Sequence, residues 1–165
     1  MQIHHLSVHW LPQASSPEQP QWMAVGEFDG VHLGHQAVIQ RAVEEAAEFG
    51  LPASVMTFHP HPRSVLGSEH HNQVLTPLND KLELLKRLGV SRVYVVNFDQ
   101  HFAELPPEQF VERFLVGLNV QTAVVGFDFT FGHQRTGTPD TLCELAAGRF
   151  AVEVVRPFHL DGVKV

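Results

Sequence analysis

The chain has 165 residues, 44% of them hydrophobic and 18% charged, the size and composition of one globular domain with a true apolar core. Its 18 acidic residues outnumber 11 basic ones for a net charge of −7, and the basic residues do not cluster, which excludes the electrostatic footprint of a nucleic-acid binder. No apolar run approaches the ~20 residues of a membrane-spanning helix, and a single cysteine, Cys143, excludes an intrachain disulfide.

Residues 2–10 read as a short strand or lead-in. The opening Met-Gln-Ile-His-His-Leu lacks the charged-then-apolar layout of a secretion signal, so the expected location is the cytoplasm. Pro12 to Pro20, rich in Pro, Ser and Gln, is a loop. The most informative stretch follows, Ala-Val-Gly-Glu-Phe-Asp-Gly-Val-His-Leu-Gly-His-Gln over residues 24–36. Apolar Met23, Ala24 and Val25 run into Gly26, then Phe28-Asp29-Gly30, and a helical pattern starts near Leu33. Strand, tight turn and helix are expected here. Gly26 and Gly30 let the backbone turn and let a ligand approach it without meeting a Cβ. The helix start delivers free N–H groups with partial positive charge, a setting that binds phosphate.

His32 and His35 are three residues apart, so in one helical turn they project from one face and flank that phosphate site. With 12 histidines in the chain a close pair also arises by chance. Zinc is the other usual reading of paired histidines, but it takes three or four ligands in fixed spacing, and no cysteine pair or third ligand is near.

Val38, Ile39, Ala42, Val43, Ala46 and Ala47 keep helical spacing until Gly50 and Pro52 end the element. Ala53 to Phe58 form a second strand, which leaves through His59-Pro60-His61-Pro62-Arg63, a stiff extended loop suited to a binding wall or a rigid connector. Gly67 to Val74 reads as a polar loop. Thr76 is the expected N-cap of the next helix with Pro77 at its first position, and Leu78, Leu82, Leu85 and Leu88 mark its apolar face before Gly89. Val93-Tyr94-Val95-Val96 is a strand of the kind buried on both faces of a parallel sheet. A helix opened by Pro106-Pro107 carries Phe110, Val111, Phe114 and Leu118, whose aromatics read as core.

Thr122 to Gly126 is a fourth apolar strand. It runs into Gly126-Phe127-Asp128-Phe129-Thr130-Phe131-Gly132-His133-Gln134-Arg135-Thr136-Gly137. Three phenylalanines in a glycine-bounded loop either fold under or receive a planar ligand, because aromatics left in water lose free energy. Thr138 caps a further helix with Pro139 at its first position, Leu142, Leu145 and Ala146 facing inward until Gly148. Cys143 in that helix reads as a small buried thiol. Phe150 to Val155 complete the pattern as a fifth strand.

Strands alternating with helices predict an α/β fold, an open parallel sheet of about five strands with helices on both faces. Ligands in such sheets sit beyond the carboxyl ends of the strands, where strand order reverses. The loops 26–35, 58–63 and 126–137 all leave carboxyl ends, so they converge on one cleft.

The motif G-E-F-D-G-V-H-L-G-H-Q resembles the nucleotide-binding signature of the H-x-G-H nucleotidylyltransferases, and its F-D-G-V-H-x-G-H form is similar to that of bacterial FAD synthetases. T-F-x-P-H-P, F-D-x-x-F-A-x-L and G-x-D-F-x-F-G-x-x-R-x-G resemble further motifs of that family, in order and across nearly the whole chain. Glu27 and His59 depart from the family pattern; an acidic residue is expected at 59.

The resemblance implies a Rossmann-like nucleotidylyltransferase fold that transfers AMP from ATP to FMN, giving FAD and pyrophosphate, with Mg²⁺ accompanying ATP. It implies catalytic hydrogen bonding by His32 and His35 to phosphate oxygens. Gly26, Phe28, Asp29, Gly34 and Asp128 are the expected nucleotide contacts, Asp128 serving adenosine or the metal environment. Phe58, Pro60, His61, Pro62, Arg63, Phe131 and Arg135 are the expected flavin contacts. The family continues with a Ser-Ser-Thr run, an arginine and a riboflavin kinase domain, so the chain is expected to be a truncated adenylyltransferase domain. A related transferase with another acceptor or CTP, and a binding module without turnover, are the alternatives.

Overall fold

The structure is a computed structural model and describes residues 1–11, 19–28, 33–60, 77–156, 159–160 and 163–164. Six parallel strands form one sheet: β1 (Gln2–Leu6), β2 (Gln21–Val25), β3 (Ala53–His59), β4 (Arg92–Asn97), β5 (Val120–Gly126) and β6 (Ala151–Val155). Their order is β1-β4-β3-β2-β5-β6. The expected five strands are present, and the lead-in adds a sixth at the edge, where Gln2 to Leu6 pair with Arg92 to Val96. A short antiparallel pair, β7 (His159–Leu160) and β8 (Val163–Lys164), follows.

Alternate residues of the strands face opposite sides. Trp22, Ala24, Val55, Val93, Val95 and Val124 pack with Val38, Ile39, Ala42 and Ala46 of α1 (Leu33–Glu48) and Leu85 of α2 (Leu78–Arg87). Met23, Val25, Met56, Tyr94, Val96 and Val125 face the other layer. That layer holds α3 (Gln100–Ala103), α4 (Pro107–Phe110), its π-helical continuation Val111–Val116, and α5 (Pro139–Ala146). The central strands are buried on both faces, which is why they read as unbroken apolar runs.

Phe110 and Phe114 are fully inside, stacked with centroids 5.6 Å apart, as their core reading required. The helix carrying them widens to π geometry after Phe110, a change that apolar spacing does not encode. The short α3 is fixed by Asp99, whose carboxylate accepts from the Phe102 backbone N–H at 2.8 Å. Thr138 caps α5 as expected, with Pro139 behind it.

Two expectations are corrected. Pro77 is itself the cap of α2, in extended backbone, and helix begins one residue later at Leu78; Thr76 lies outside the described residues. Cys143 is exposed rather than buried, because it follows Leu142 onto the outer face of α5.

At the amino ends of the strands sits a buried polar cluster. Gln21 donates to the Leu118 carbonyl at 2.9 Å and to the Tyr94 hydroxyl at 3.1 Å, and accepts from Ser54 Oγ at 2.7 Å. A buried amide is tolerated when so satisfied, and here it ties β2, β3, β4 and the approach to β5 together.

Candidate functional site

In the order β3-β2-β5 the chain departs from β2 in both directions, making β2/β5 the point where strand order reverses. A cavity of about 740 Å³ opens there, beyond the carboxyl ends of the strands.

One wall is the turn after β2 with the start of α1: Gly26, Glu27, Phe28, Gly34, His35 and Val38. Phe28 adopts a left-handed backbone, φ 52°, an uncommon conformation for a bulky residue. Its ring is buried at 3% exposure in the layer under α1. There it lies so close over Gly26 that a Cβ on Gly26 would stand 3.0 Å from the ring. Gly26 is therefore required by the Phe28 side chain, which fills the space its Cβ would take. His35 meets the Phe28 ring edge-on, centroids 5.7 Å apart at 78°.

The opposite wall is the loop after β5, residues 126–135. Phe129 N–H donates to the Gly126 carbonyl at 3.1 Å, and Phe131 and Gly137 exchange backbone bonds at 3.1 and 2.8 Å. The Asp128 carboxylate folds back over Gly126, within 3.2 Å of where a Cβ would be. His133 N–H donates to the Leu105 carbonyl at 2.7 Å. Gln134 and Arg135 are both left-handed, backbone strain of the kind that collects at ligand-facing loops.

The three phenylalanines divide between the two expected fates. Phe131 is buried, its ring 5.4 Å from Phe110 and 5.5 Å from Phe129, whereas Phe127 is 43% exposed on the cavity wall. The inner end is lined by Phe58, Phe102 and Phe110, with Phe58 and Phe102 centroids 5.6 Å apart.

The cavity thus brings together Gly26, Phe28, Gly34, His35, Phe58, Asp128, Phe131 and Arg135. Pro60 is half-buried and outside its lining. Asp29, His32, His61, Pro62 and Arg63 lie outside the described residues.

Phe98, the first residue of the F-D-x-x-F-A-x-L motif, also lines the cavity, as do Gln100, Glu104 and Arg156, which were not singled out from sequence. Lys81 was missed too. It occupies the apolar face of α2, in register with Leu78 and Leu85, and is 6% exposed. A lysine at a core position of a helix was the available signal.

An open parallel sheet wound on both faces, with a cavity at its switch point between a glycine turn and a helix start, defines an α/β protein of the nucleotide-binding type. Its fold is similar to a solved structure titled as a macrolide-efflux protein from Streptococcus pneumoniae, with a TM-score of 0.78 and 27% identity over 98% of this chain and 52% of that one. The chain belongs to the FAD synthetase family, whose pattern it matches over residues 14–165.

Similar curated proteins are bifunctional riboflavin kinase/FMN adenylyltransferases. That of Bacillus subtilis is 48% identical over 87% of this chain and 46% of its own length. For Listeria monocytogenes the figures are 50%, 81% and 43%, and for Escherichia coli K12 they are 37%, 96% and 50%. The chain spans about half the length of the curated relatives it matches.

Proposed function

We propose that this chain is an FMN adenylyltransferase. A phosphate oxygen of FMN attacks the α-phosphorus of ATP, the bond to the β-phosphate oxygen breaks, and FAD and pyrophosphate leave. The observation that carries this reading is the meeting, across one cavity, of Gly26, Glu27 and Phe28 with the start of α1 on one side and the aromatic loop 126–135 on the other.

The nucleophile is already an anion, so catalysis rests on alignment and on stabilising phosphate charge rather than on a strong base. His35, with His32 beside it in sequence, supplies N–H donors to phosphate oxygens whichever ring nitrogen carries the proton. Backbone groups of Gly26, Phe28 and Gly34 border the nucleotide, joined by Asp29, and Asp128 serves adenosine or the metal environment. Phe58, Phe131 and Arg135 border the flavin, joined by His61, Pro62 and Arg63, while Pro60 stands outside the cavity lining.

Among the described residues no group of three or more His, Cys, Asp or Glu side chains is placed to hold a metal. Mg²⁺ accompanying ATP would need no such cage, since it usually keeps several waters and takes one or two carboxylates beside the substrate phosphates; Asp128 on the cavity wall is a carboxylate available to it, and the ion would neutralise phosphate charge there. In a longer parent protein a C-terminal riboflavin kinase domain would supply FMN, as the names of the bifunctional relatives imply.

The test is chromatographic detection of FAD after mixing the chain with FMN, ATP and Mg²⁺. FAD is expected with the unaltered chain and, at a much lower rate, with His35→Ala. Absence of FAD both here and in a chain extended beyond Val165 overturns the reading.

A further inference from the structure

We infer that Lys81 is a positioning residue for the nucleotide site, holding the turn after β2 from behind. Its Nζ donates to the Glu27 carbonyl at 2.8 Å and to Thr57 Oγ1 at 3.3 Å, and Thr57 Oγ1 itself donates to the Glu27 carbonyl at 2.8 Å. Two donors from two elements, α2 and β3, therefore close on one carbonyl oxygen and use both of its lone pairs.

Burying an ammonium is costly unless it is hydrogen-bonded or paired, and the bonds from Lys81 to the Glu27 carbonyl and to Thr57 Oγ1 reach the turn after β2 and the strand β3. What the placement does is local. Glu27 immediately precedes Phe28, the residue with φ 52°, and a left-handed bulky residue persists only where its surroundings over-determine it.

Three constraints do so. Lys81 and Thr57 fix the peptide before Phe28, α1 encloses the ring, and Gly26 leaves room beneath it. Glu27 and Phe28 both line the cavity, so fixing their peptide sets which way the turn presents its backbone to a polyphosphate. The Lys81 ammonium adds a charge-assisted bond to that scaffold without itself lining the cavity.

This inference rests on the nucleotide reading of the cavity. It is tested by titrating the chain separately with ATP and with FMN, for Lys81→Met and Thr57→Val beside the unaltered protein. In Lys81→Met the Kd for ATP is expected to rise roughly tenfold, the loss of about one charge-assisted hydrogen bond's worth of preorganisation, while the Kd for FMN stays within about twofold. Thr57→Val is expected to give a smaller loss, also confined to ATP.

Unaltered ATP binding in Lys81→Met, or equal weakening of both ligands, overturns the inference. If Lys81→Met does not fold, Thr57→Val decides: a loss confined to ATP supports the inference, and no loss or an equal loss overturns it. Failure of the unaltered chain to bind ATP would instead strike the nucleotide reading itself.

Discussion

The ring of Phe28 stands edge-on to the imidazole of His35, with centroids 5.7 Å apart, so the strained residue of the turn is also the surface on which the described histidine of the motif rests. Edge-to-face pairs contribute about 0.5–1.5 kcal/mol beyond the area they bury, enough to favour one imidazole orientation. His35→Ala is expected to lower FAD formation by ~10²–10³, the effect of losing one preorganised donor, with little change in urea midpoint. Phe28→Leu keeps the donor but removes its rest, so a smaller loss of turnover is expected. Steady-state rates for the two variants check this, and wild-type turnover in His35→Ala would remove it from the mechanism.

Two phenylalanines of the aromatic loop line the cavity at very different exposure. Phe131 is 6% exposed, and its ring fills the space where a Cβ on Gly137 would come within 2.7 Å. Phe131→Ala should therefore cost about 3–5 kcal/mol in urea denaturation, the usual penalty for emptying a buried aromatic site. Phe127 lines the cavity at 43% exposure, and Phe127→Ala should change stability by no more than about 0.5 kcal/mol. It should instead weaken whichever planar ligand stacks on it, by about 1–3 kcal/mol if stacking resembles that of nucleobases on aromatics. Unchanged Kd values for both ATP and FMN would sink the stacking role.

The sheet was legible because both faces of β2 to β5 are buried, which writes each strand as an apolar run between glycines and prolines. The cleft was legible because its loops leave carboxyl ends. Less visible were features set by tertiary contact. β1, read from sequence as a short strand or lead-in, carries His4 and His5 and takes its place at the sheet edge by pairing with β4, a position that local pattern does not specify. The burial of Gln21 depends on Ser54, Tyr94 and the Leu118 carbonyl, all distant in sequence. The left-handed Phe28 defies the usual preference for glycine at such angles, since it is held by α1, Thr57 and Lys81 rather than by its own propensity. Lys81 itself breaks the apolar stripe of α2, and such local breaks collect at functional or strained positions.

Away from the cavity, β6 and α1 bring two carboxyls to one guanidinium. Arg41 Nη1 is 3.9 Å from Glu153 Oε2, and Arg41 Nε is 3.6 Å from Glu45 Oε1. Burial raises the Glu153 pKa above its ordinary 4.5, hydrogen bonding to and repulsion from Glu45 raise it further, and Arg41 only partly opposes them. Between the ordinary and the raised value the folded chain holds more protons than the unfolded one, so this group makes stability fall as pH climbs through that window. Below it Glu153 is neutral in both states and contributes no such loss. Glu153→Gln should therefore match the unaltered chain below the ordinary value of 4.5, exceed it increasingly as pH climbs through that window, and hold a constant gap above the raised value. Glu45→Gln, which removes the like charge, should narrow the same pH dependence while leaving Glu153 its Arg41 partner. Urea midpoints for the three proteins across this range measure the gap; a difference that does not vary with pH would show that packing, not ionisation, governs Glu153.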